Sequence, residues 1–318
     1  MNYSIGIDIG GTNTVIALVD TMGIVVKKEK LKTTDFFLIE DYLKTITTKI
    51  ELLADNVKEE NNLLGVGIGV PNGNFYHGSI EYAPNLPFKG IIKLKDILEV
   101  LLLKDGYNIN VTVTNDANAA AMGEMIFGKA KNIKNFIMIT LGTGVGSGIV
   151  VDGKLVYGHS GFAGELGHTI IDPNGRMCNC GRKGCLERYA SATGIVITMR
   201  EILSKYTTSS VLREIQEDKL TSKDIYNAAL MGDKLALNCF DYTAKQLALG
   251  IANAVEITSP EKVYLFGGLA KSGDILLNPL KEYMEKFLFS VFLNTVTIEL
   301  SDLGEENAAI LGAAALCF

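Results

Sequence analysis

Two stretches of the chain repeat one arrangement: a strand, a glycine-rich turn carrying a threonine, a strand running back, then a tight turn into a third strand. The first runs from Tyr3 to Asp20, with the turn at Gly10 and Gly11 and the return over Thr14 to Val19, and continues through Met22-Gly23 into Ile24 to Lys28. The second runs Phe136 to Leu141, Gly142 to Gly146, Ser147 to Val151, Asp152-Gly153 and Lys154 to Val156. Such a chain must open each half with a hairpin meander, unlike the strand-to-helix start of a dinucleotide-binding fold. Two related lobes facing one another would bring both glycine turns to one cleft.

The remaining periodicity fits this duplication. Ile39 to Leu53 has apolar residues at helical spacing, Leu64 to Val70 is an apolar β run ended by Pro71, and Val111 to Thr114 is a strand leading into a helix from Ala117 to Gly123. From about Ala190 to Thr258 the pattern is mostly helical, followed by strands at Val263 to Phe266 and Val296 to Leu300. The tail, Glu305 to Leu316, is a helix rich in Ala and Gly, suited to close packing on a sheet or another helix. A length of 318 residues exceeds what one core usually serves, so two lobes are expected, and a hydrophobic content of 47% can fill both.

Charge removes some partners. With 36 acidic against 30 basic residues and no basic stripe, nucleic acid is not an expected partner. The longest apolar runs, such as Ile97 to Leu103, fall short of the ~20 residues that span a bilayer, and Met1 to Gly11 lacks the pattern of a signal peptide. A cytoplasmic protein without membrane contact is the expectation.

Phosphate chemistry is legible in the turns. In Asp8-Ile9-Gly10-Gly11-Thr12-Asn13 the glycines let backbone N–H groups approach phosphate oxygens, Thr12 adds a hydroxyl donor, and Asp8 can hold Mg²⁺ directly or through water. Leu141-Gly142-Thr143-Gly144-Val145-Gly146-Ser147-Gly148 offers a second phosphate turn, and the pair argues more strongly than either alone. Leu265-Phe266-Gly267-Gly268-Leu269-Ala270 could bring backbone flush against a flat ring such as adenine. Taken singly, each is equally readable as an ordinary hairpin or helix-entry turn.

Of the five cysteines, three crowd behind a histidine as His168-x9-Cys178-x-Cys180-x4-Cys185, with Gly181 and Gly184 supplying turns. One imidazole and three thiolates make a closed tetrahedral Zn²⁺ site of structural type. A disulfide from Cys178 or Cys180 to Cys185, or inert thiols, are the rival readings. Cys239 and Cys317 read as packing residues, and His77 and His159 as loop residues. In Thr114-Asn115-Asp116-Ala117, Asp116 sits at a helix start; it reads either as an N-cap or as a general base for a bound hydroxyl, with Asn115 orienting a neighbouring one. Glu165 and Glu187 flank the cysteine loop, where carboxylates could accept hydrogen bonds from adjacent sugar hydroxyls.

Together Asp8 to Asn13, Asn115-Asp116, Leu141 to Gly148, Glu165-Leu166-Gly167-His168, Cys178 to Glu187 and Leu265 to Ala270 resemble, in order and over nearly the whole chain, the ROK family of sugar kinases and repressors. The resemblance implies an α/β, two-lobed, actin-like ATPase (hexokinase-type) fold with ribonuclease H-like lobes and a zinc knuckle. It implies an N-terminal lobe of 1–115 plus 302–318 and a C-terminal lobe of 116–301, with ATP and a hexose in the cleft and a homodimer as the assembly. By residue, it implies Asp116 as catalytic base and Asn85, Asn115, Asp116, Glu165, His168 and Glu187 on the sugar. Asp8, Gly10, Gly11, Thr12, Asn13, Gly142, Thr143, Gly144, Gly267 and Gly268 would serve ATP and Mg²⁺. His168 would ligate zinc, with Cys178, Cys180 and Cys185, through one ring nitrogen and reach the sugar with the other. Two departures stand out: Asn72 is inserted in Pro71-Asn72-Gly73, where Pro-Gly is usual, and Phe88 occupies a position where an indole is common.

The expected activity is glucokinase, with glucose favoured as the commonest acceptor in the family. Fructose, mannose, allose, N-acetylmannosamine and N-acetylglucosamine are alternative acceptors. A sugar-responsive regulator is expected less, since the first strand begins at about Tyr3 and leaves no room ahead of it for a helix-turn-helix. A sugar-binding pseudo-enzyme is expected less because Asp116 and both glycine turns are intact.

Overall fold

The computed structural model describes residues 1–58 and 62–318. In chain order its elements are β1 (Tyr3–Ile9), β2 (Asn13–Asp20), β3 (Val25–Lys32), α1 (Ile39–Lys58), β4 (Leu63–Gly69), β5 (Gly73–Asn74), β6 (Ser79–Glu81), β7 (Ile91–Ile92), α2 (Leu94–Lys104), β8 (Asn110–Thr114) and α3 (Asp116–Ile126). There follow β9 (Phe136–Leu141), β10 (Val145–Val151), β11 (Lys154–Leu155), α4 (Glu187–Ala190), α5 (Ala192–Lys205), α6 (Ser222–Leu230), α7 (Lys234–Thr258), β12 (Lys262–Phe266), α8 (Asp274–Phe287), β13 (Thr297–Leu300) and α9 (Glu305–Ala315). None of the helices among the described residues is long and apolar enough to cross a membrane.

The chain divides into two compact units, one of Met1–Lys134, Gly148–Gly164 and Ser301–Phe318, the other of Asn135–Ser147 and Glu165–Leu300. In the first, the sheet order is β3-β2-β1-β4-β8. The meander β1-β2-β3 is antiparallel, whereas β1, β4 and β8 run parallel. Alternation puts Ile5, Ile7 and Ile9 in a core shared with Tyr42, Leu43, Ile46 and Ile50 of α1 and Leu94, Leu98 and Leu102 of α2. The alternate strand positions carry glycine because α9 comes down on them. A Cβ on Gly6 would lie 2.2 Å from the Ile310 carbonyl, and one on Gly67 would lie 1.9 Å from that of Ala313.

Helix α3 packs on α9 the same way: a Cβ on Gly312 would meet the Ala119 carbonyl at 2.3 Å, and one on Gly123 the Gly312 Cα at 2.9 Å. That contact, with neither side carrying a side chain to hold the backbones apart, places α3 in the first unit. The sequence had drawn the boundary ahead of it, between residues 115 and 116.

The second sheet has the order β11-β10-β9-β12-β13, with β9, β12 and β13 parallel and β10-β11 antiparallel. Strand β10 starts at Val145, so the turn expected to extend to Gly146 is two residues shorter. Helix α7 buries Leu235, Phe240, Leu247, Ile251 and Val255, starts at an Asp233 cap that accepts from the N–H groups of Leu235 and Ala236, and carries the buried Cys239 as a packing residue.

Candidate functional site

In the first unit the parallel strands end level with one another, Asp8 pairing with Gly69 and Gly69 with Thr114. Loops at the carboxyl ends of parallel strands are where α/β sheets bind ligands. Here they are the Gly10–Asn13 turn after β1 and Asn115-Asp116 after β8. Asn115 is the helix cap: its Oδ1 accepts from the N–H of Ala117 at 2.8 Å, and Asp116, the first helical residue, shares that donor through its own Oδ1 at 2.8 Å. The capping role weighed for Asp116 therefore belongs to Asn115, which leaves the rest of the Asp116 carboxyl for other work.

Asp116 has an exposed side chain, yet the protein crowded around it disfavours charge and raises its carboxyl above the ordinary range, against the opposing pull of the Ala117 N–H. Asp8 is raised to about 6, first by burial and then by the charge of Asp116. Two carboxyls at one strand edge, both raised by burial and one further raised by the other's charge, are the pattern of an acid–base or cation-holding centre.

Asn85 lies against the glycine turn, since a Cβ on Gly11 would be 2.4 Å from the Asn85 carbonyl oxygen. The inserted Asn72 is absorbed by a left-handed backbone (φ 55) and a 3.0 Å bond from its Nδ2 to the Glu81 carbonyl. Phe88 packs at 4.9 Å from the Tyr42 ring. His77, read from the sequence as a loop residue, does have a partner, Glu81, at 2.9 Å.

In the second unit three glycine segments and the cysteine loop converge. The Gly142 carbonyl accepts from the N–H of Ala192 at 2.8 Å, and that of Thr143 from Thr193 Oγ1 at 2.7 Å, so both face the start of α5. Gly267 (φ 99) abuts Leu141, while the Cα atoms of Gly142 and Gly268 face open space. A Cβ on Gly144 would stand 2.7 Å from Glu187 Oε2, and one on Gly167 would strike the Val145 carbonyl at 1.9 Å. The Glu165–His168 loop is thus packed backbone to backbone on Val145, just past the Gly142–Gly144 turn, and the Glu187 carboxylate from the head of α4 lies against Gly144.

His168, Cys178, Cys180 and Cys185 bring their donor atoms within 4.8 Å of one another. Cys180 Sγ to Cys185 Sγ is 3.6 Å and Cys178 Sγ to His168 Nδ1 is 3.8 Å. Those spacings match the ~3.8 Å edge of a tetrahedron with Zn–S bonds of ~2.3 Å, far beyond a sulfur–sulfur bond. The donor set therefore fits a zinc ion, and no cysteine is in a disulfide. Nδ1 is the nitrogen turned to the sulfur, which leaves Nε2 of His168 for another ligand. Glu187 Oε1 stands beside the set, 3.0 Å from Cys178 Sγ and 3.7 Å from His168 Nδ1.

Residues without a sequence motif complete this loop. Arg176 donates to both carboxylate oxygens of Glu201 and to the Arg188 carbonyl, and lies 4.5 Å over the Tyr189 ring. No periodicity marks it; an arginine inside a cysteine loop reads as a solvated charge until its partners are seen.

Comparison with known proteins agrees with this geometry. The model of the ROK family matches residues 4–318. A glucokinase of Halalkalibacterium halodurans is 37% identical, over 98% of this chain and 93% of that protein. A xylose repressor of Caldicellulosiruptor bescii is 31% identical, over 98% of this chain and 77% of that protein. Among solved structures, a ROK family glucokinase from Streptomyces griseus in complex with glucose and AMPPNP superposes with a TM-score of 0.79 and 30% identity, over 99% of each chain. With two α/β units of the actin-like ATPase type, a Cys3His cluster and a family match over nearly its whole length, this chain belongs to the ROK family.

Proposed function

We propose that this protein is an ATP-dependent hexose kinase whose acceptor is glucose and whose nucleophile is the 6-hydroxyl. The observation that carries the reading is Asp116: a carboxyl raised above its usual range, at the strand edge that also bears Asp8 and the Gly10–Asn13 turn. A base so placed holds a proton better than an ordinary aspartate does, which suits it to accept one from an attacking hydroxyl near neutral pH. In the step, the sugar O6–phosphorus bond forms, the bond from the γ-phosphorus to the bridging oxygen breaks, the sugar proton passes to Asp116, and ADP leaves.

In this reading the Gly10–Asn13 and Gly142–Gly144 turns hold phosphates through the amides of Gly11, Thr12, Asn13, Thr143 and Gly144, while the N–H groups of Gly10 and Gly142 close the turns on the carbonyls of Asn13 and Gly144, and Gly267-Gly268 lies against the adenine. Asp8 would hold Mg²⁺, which neutralises phosphate charge when bound. Asn85, Asn115, Glu165, Glu187 and Nε2 of His168 bind sugar hydroxyls, and zinc would be held by His168, Cys178, Cys180 and Cys185 as a fixed support for that loop. Support comes also from the Streptomyces griseus relative, whose structure contains glucose and an ATP analogue.

The second reading, a sugar-responsive regulator, has the identity to a xylose repressor in its favour. A coupled ADP-release assay across hexoses, N-acetylhexosamines and xylose separates the two. Glucose is expected to give the highest kcat/KM, and Asp116→Asn to lower turnover by about 10³-fold with glucose affinity within about threefold of wild type. Sugar binding without ADP release from any acceptor would favour the regulator, a stronger response to an N-acetylhexosamine would displace glucose, and near-normal turnover by the variant would remove Asp116 from the base role.

A further inference from the structure

Behind the Gly10–Asn13 turn lies a chain of hydroxyls that the phosphate reading does not use. Thr33, just past β3, is fully buried. Its Oγ1 donates to the Gly10 carbonyl at 2.8 Å, and its N–H donates to the Thr12 carbonyl at 2.9 Å. A carbonyl oxygen only accepts, so the one hydroxyl proton of Thr33 is committed to Gly10. The 2.9 Å contact between the Thr14 and Thr33 hydroxyls must then run from Thr14 to Thr33, and the 2.6 Å contact between Tyr42 and Thr14 must run from Tyr42 to Thr14. The series Tyr42, Thr14, Thr33, Gly10 therefore has a single direction, each bond polarising the next. The Tyr42 ring is held between Phe36 at 5.4 Å and Phe88 at 4.9 Å.

This fixes the aim of the turn. In a trans peptide the C=O and N–H of one unit point opposite ways. Holding the carbonyls of Gly10 and Thr12 toward Thr33 turns the N–H groups of Gly11 and Asn13 away from it. On another side the turn is stopped by the Asn85 carbonyl, 2.4 Å from where a Gly11 Cβ would be. We infer that Thr33 is a positioning residue for the nucleotide: its hydroxyl, at the end of the Tyr42–Thr14 relay, holds the phosphate turn with its amides facing outward. The inference rests on the kinase reading, and specifically on phosphate binding by this turn.

The test uses the full-length protein, with AMPPNP and Mg²⁺ titrated by calorimetry and glucose titrated separately. Thr33→Val keeps the shape and the N–H to Thr12 but deletes the hydroxyl. It is expected to weaken AMPPNP about tenfold, the size of one lost hydrogen bond, with glucose affinity within about twofold, while Thr33→Ser restores AMPPNP binding to within about threefold. AMPPNP affinity within about twofold of wild type in Thr33→Val overturns the inference. So does a joint loss of both ligands that Thr33→Ser fails to rescue, since that marks a merely structural threonine. Should Thr33→Val fail to fold, Tyr42→Phe decides: removing the first donor is expected to weaken AMPPNP about threefold, and no change counts against the relay. A wild-type protein that binds no AMPPNP sinks the kinase reading and the inference with it; failure of the inference alone leaves wild-type binding intact.

Discussion

Asp8 and Asp116 both sit where burial disfavours the charged form, and the charge of Asp116 makes the ionisation of Asp8 harder still. The sign of the linkage follows. An aspartate whose native pKa is about 6 against an ordinary 3.8 binds its proton more tightly when folded, so its contribution favours the native state below pH 4 and is lost as pH rises through 6. The displacement corresponds to about 3 kcal/mol as an upper bound at neutral pH. Asp8→Asn should therefore raise the melting temperature at pH 7.5 and leave it nearly unchanged at pH 4, while turnover collapses. A variant stabilised equally at both pH values would show that ionisation of Asp8 costs nothing. Both aspartates were legible in the sequence, because each ends a strand and opens a turn or helix. The effect of Asp116 on Asp8 was not, because it arises only when β4 brings β1 and β8 into one sheet. The choice of helix cap was left open for a related reason: Asn115 and Asp116 are both good caps, and only backbone geometry gives the role to Asn115.

At the level of elements, the glycines sort into two kinds that the sequence could not separate. Those of β1, β4, α3 and α9 are there because another backbone touches them, and the Ala- and Gly-rich tail correctly announced such packing without naming its target. It proved to be both the sheet and α3. In the glycine turns, Gly142 and Gly268 are of the other kind, with open space where a side chain would go, whereas Gly11 meets the Asn85 carbonyl and Gly144 the Glu187 carboxylate. Gly67→Ala would place a methyl 1.9 Å from the Ala313 carbonyl, backbone that cannot swing aside. Overpacking of this kind costs about 3 kcal/mol, and the melting temperature should fall by about 6–12 °C. Gly142→Ala should leave stability within about 0.5 kcal/mol and instead weaken nucleotide binding. Equal melting temperatures for the two variants would refute the division. The strands and helices read from the sequence have bounds within about five residues of the structure, α1 running on to Lys58 where the reading stopped at Leu53, but α2, α8 and the short strands β5, β6 and β7 had no counterpart in that reading.

For the molecule as a whole, the question is how far a metal in the cysteine loop makes itself felt. The four donors that would hold it, His168, Cys178, Cys180 and Cys185, were the most legible feature of the sequence, since their spacing suits a closed site and the structure brings them together. The route outward from them was hidden, because it runs through main-chain contacts. The Ile170–Cys185 and Met177–Lys183 bridges brace the loop, Tyr189 OH accepts from the Arg176 N–H at 2.8 Å, Ser191 caps α5, and the N–H of Ala192 donates to the Gly142 carbonyl. A disturbance at the cysteines thus has a continuous path of ordered backbone to the Gly142–Gly144 turn within the second unit. Native protein should contain about one zinc per chain by elemental analysis, the number a single closed site can hold. Stripping it with a chelator should raise amide hydrogen exchange over residues 168–187 and also at Gly144 and Ala192, while β1 and β4 of the first unit keep their protection. Cys180→Ser should reproduce the pattern without chelator. Exchange that rises in the cysteine loop yet stays unchanged at Ala192 would confine the metal to a local staple. Exchange that rises equally in β1 and β4 would mean that its loss unfolds the chain, with no selective path from the knuckle to the glycine turn.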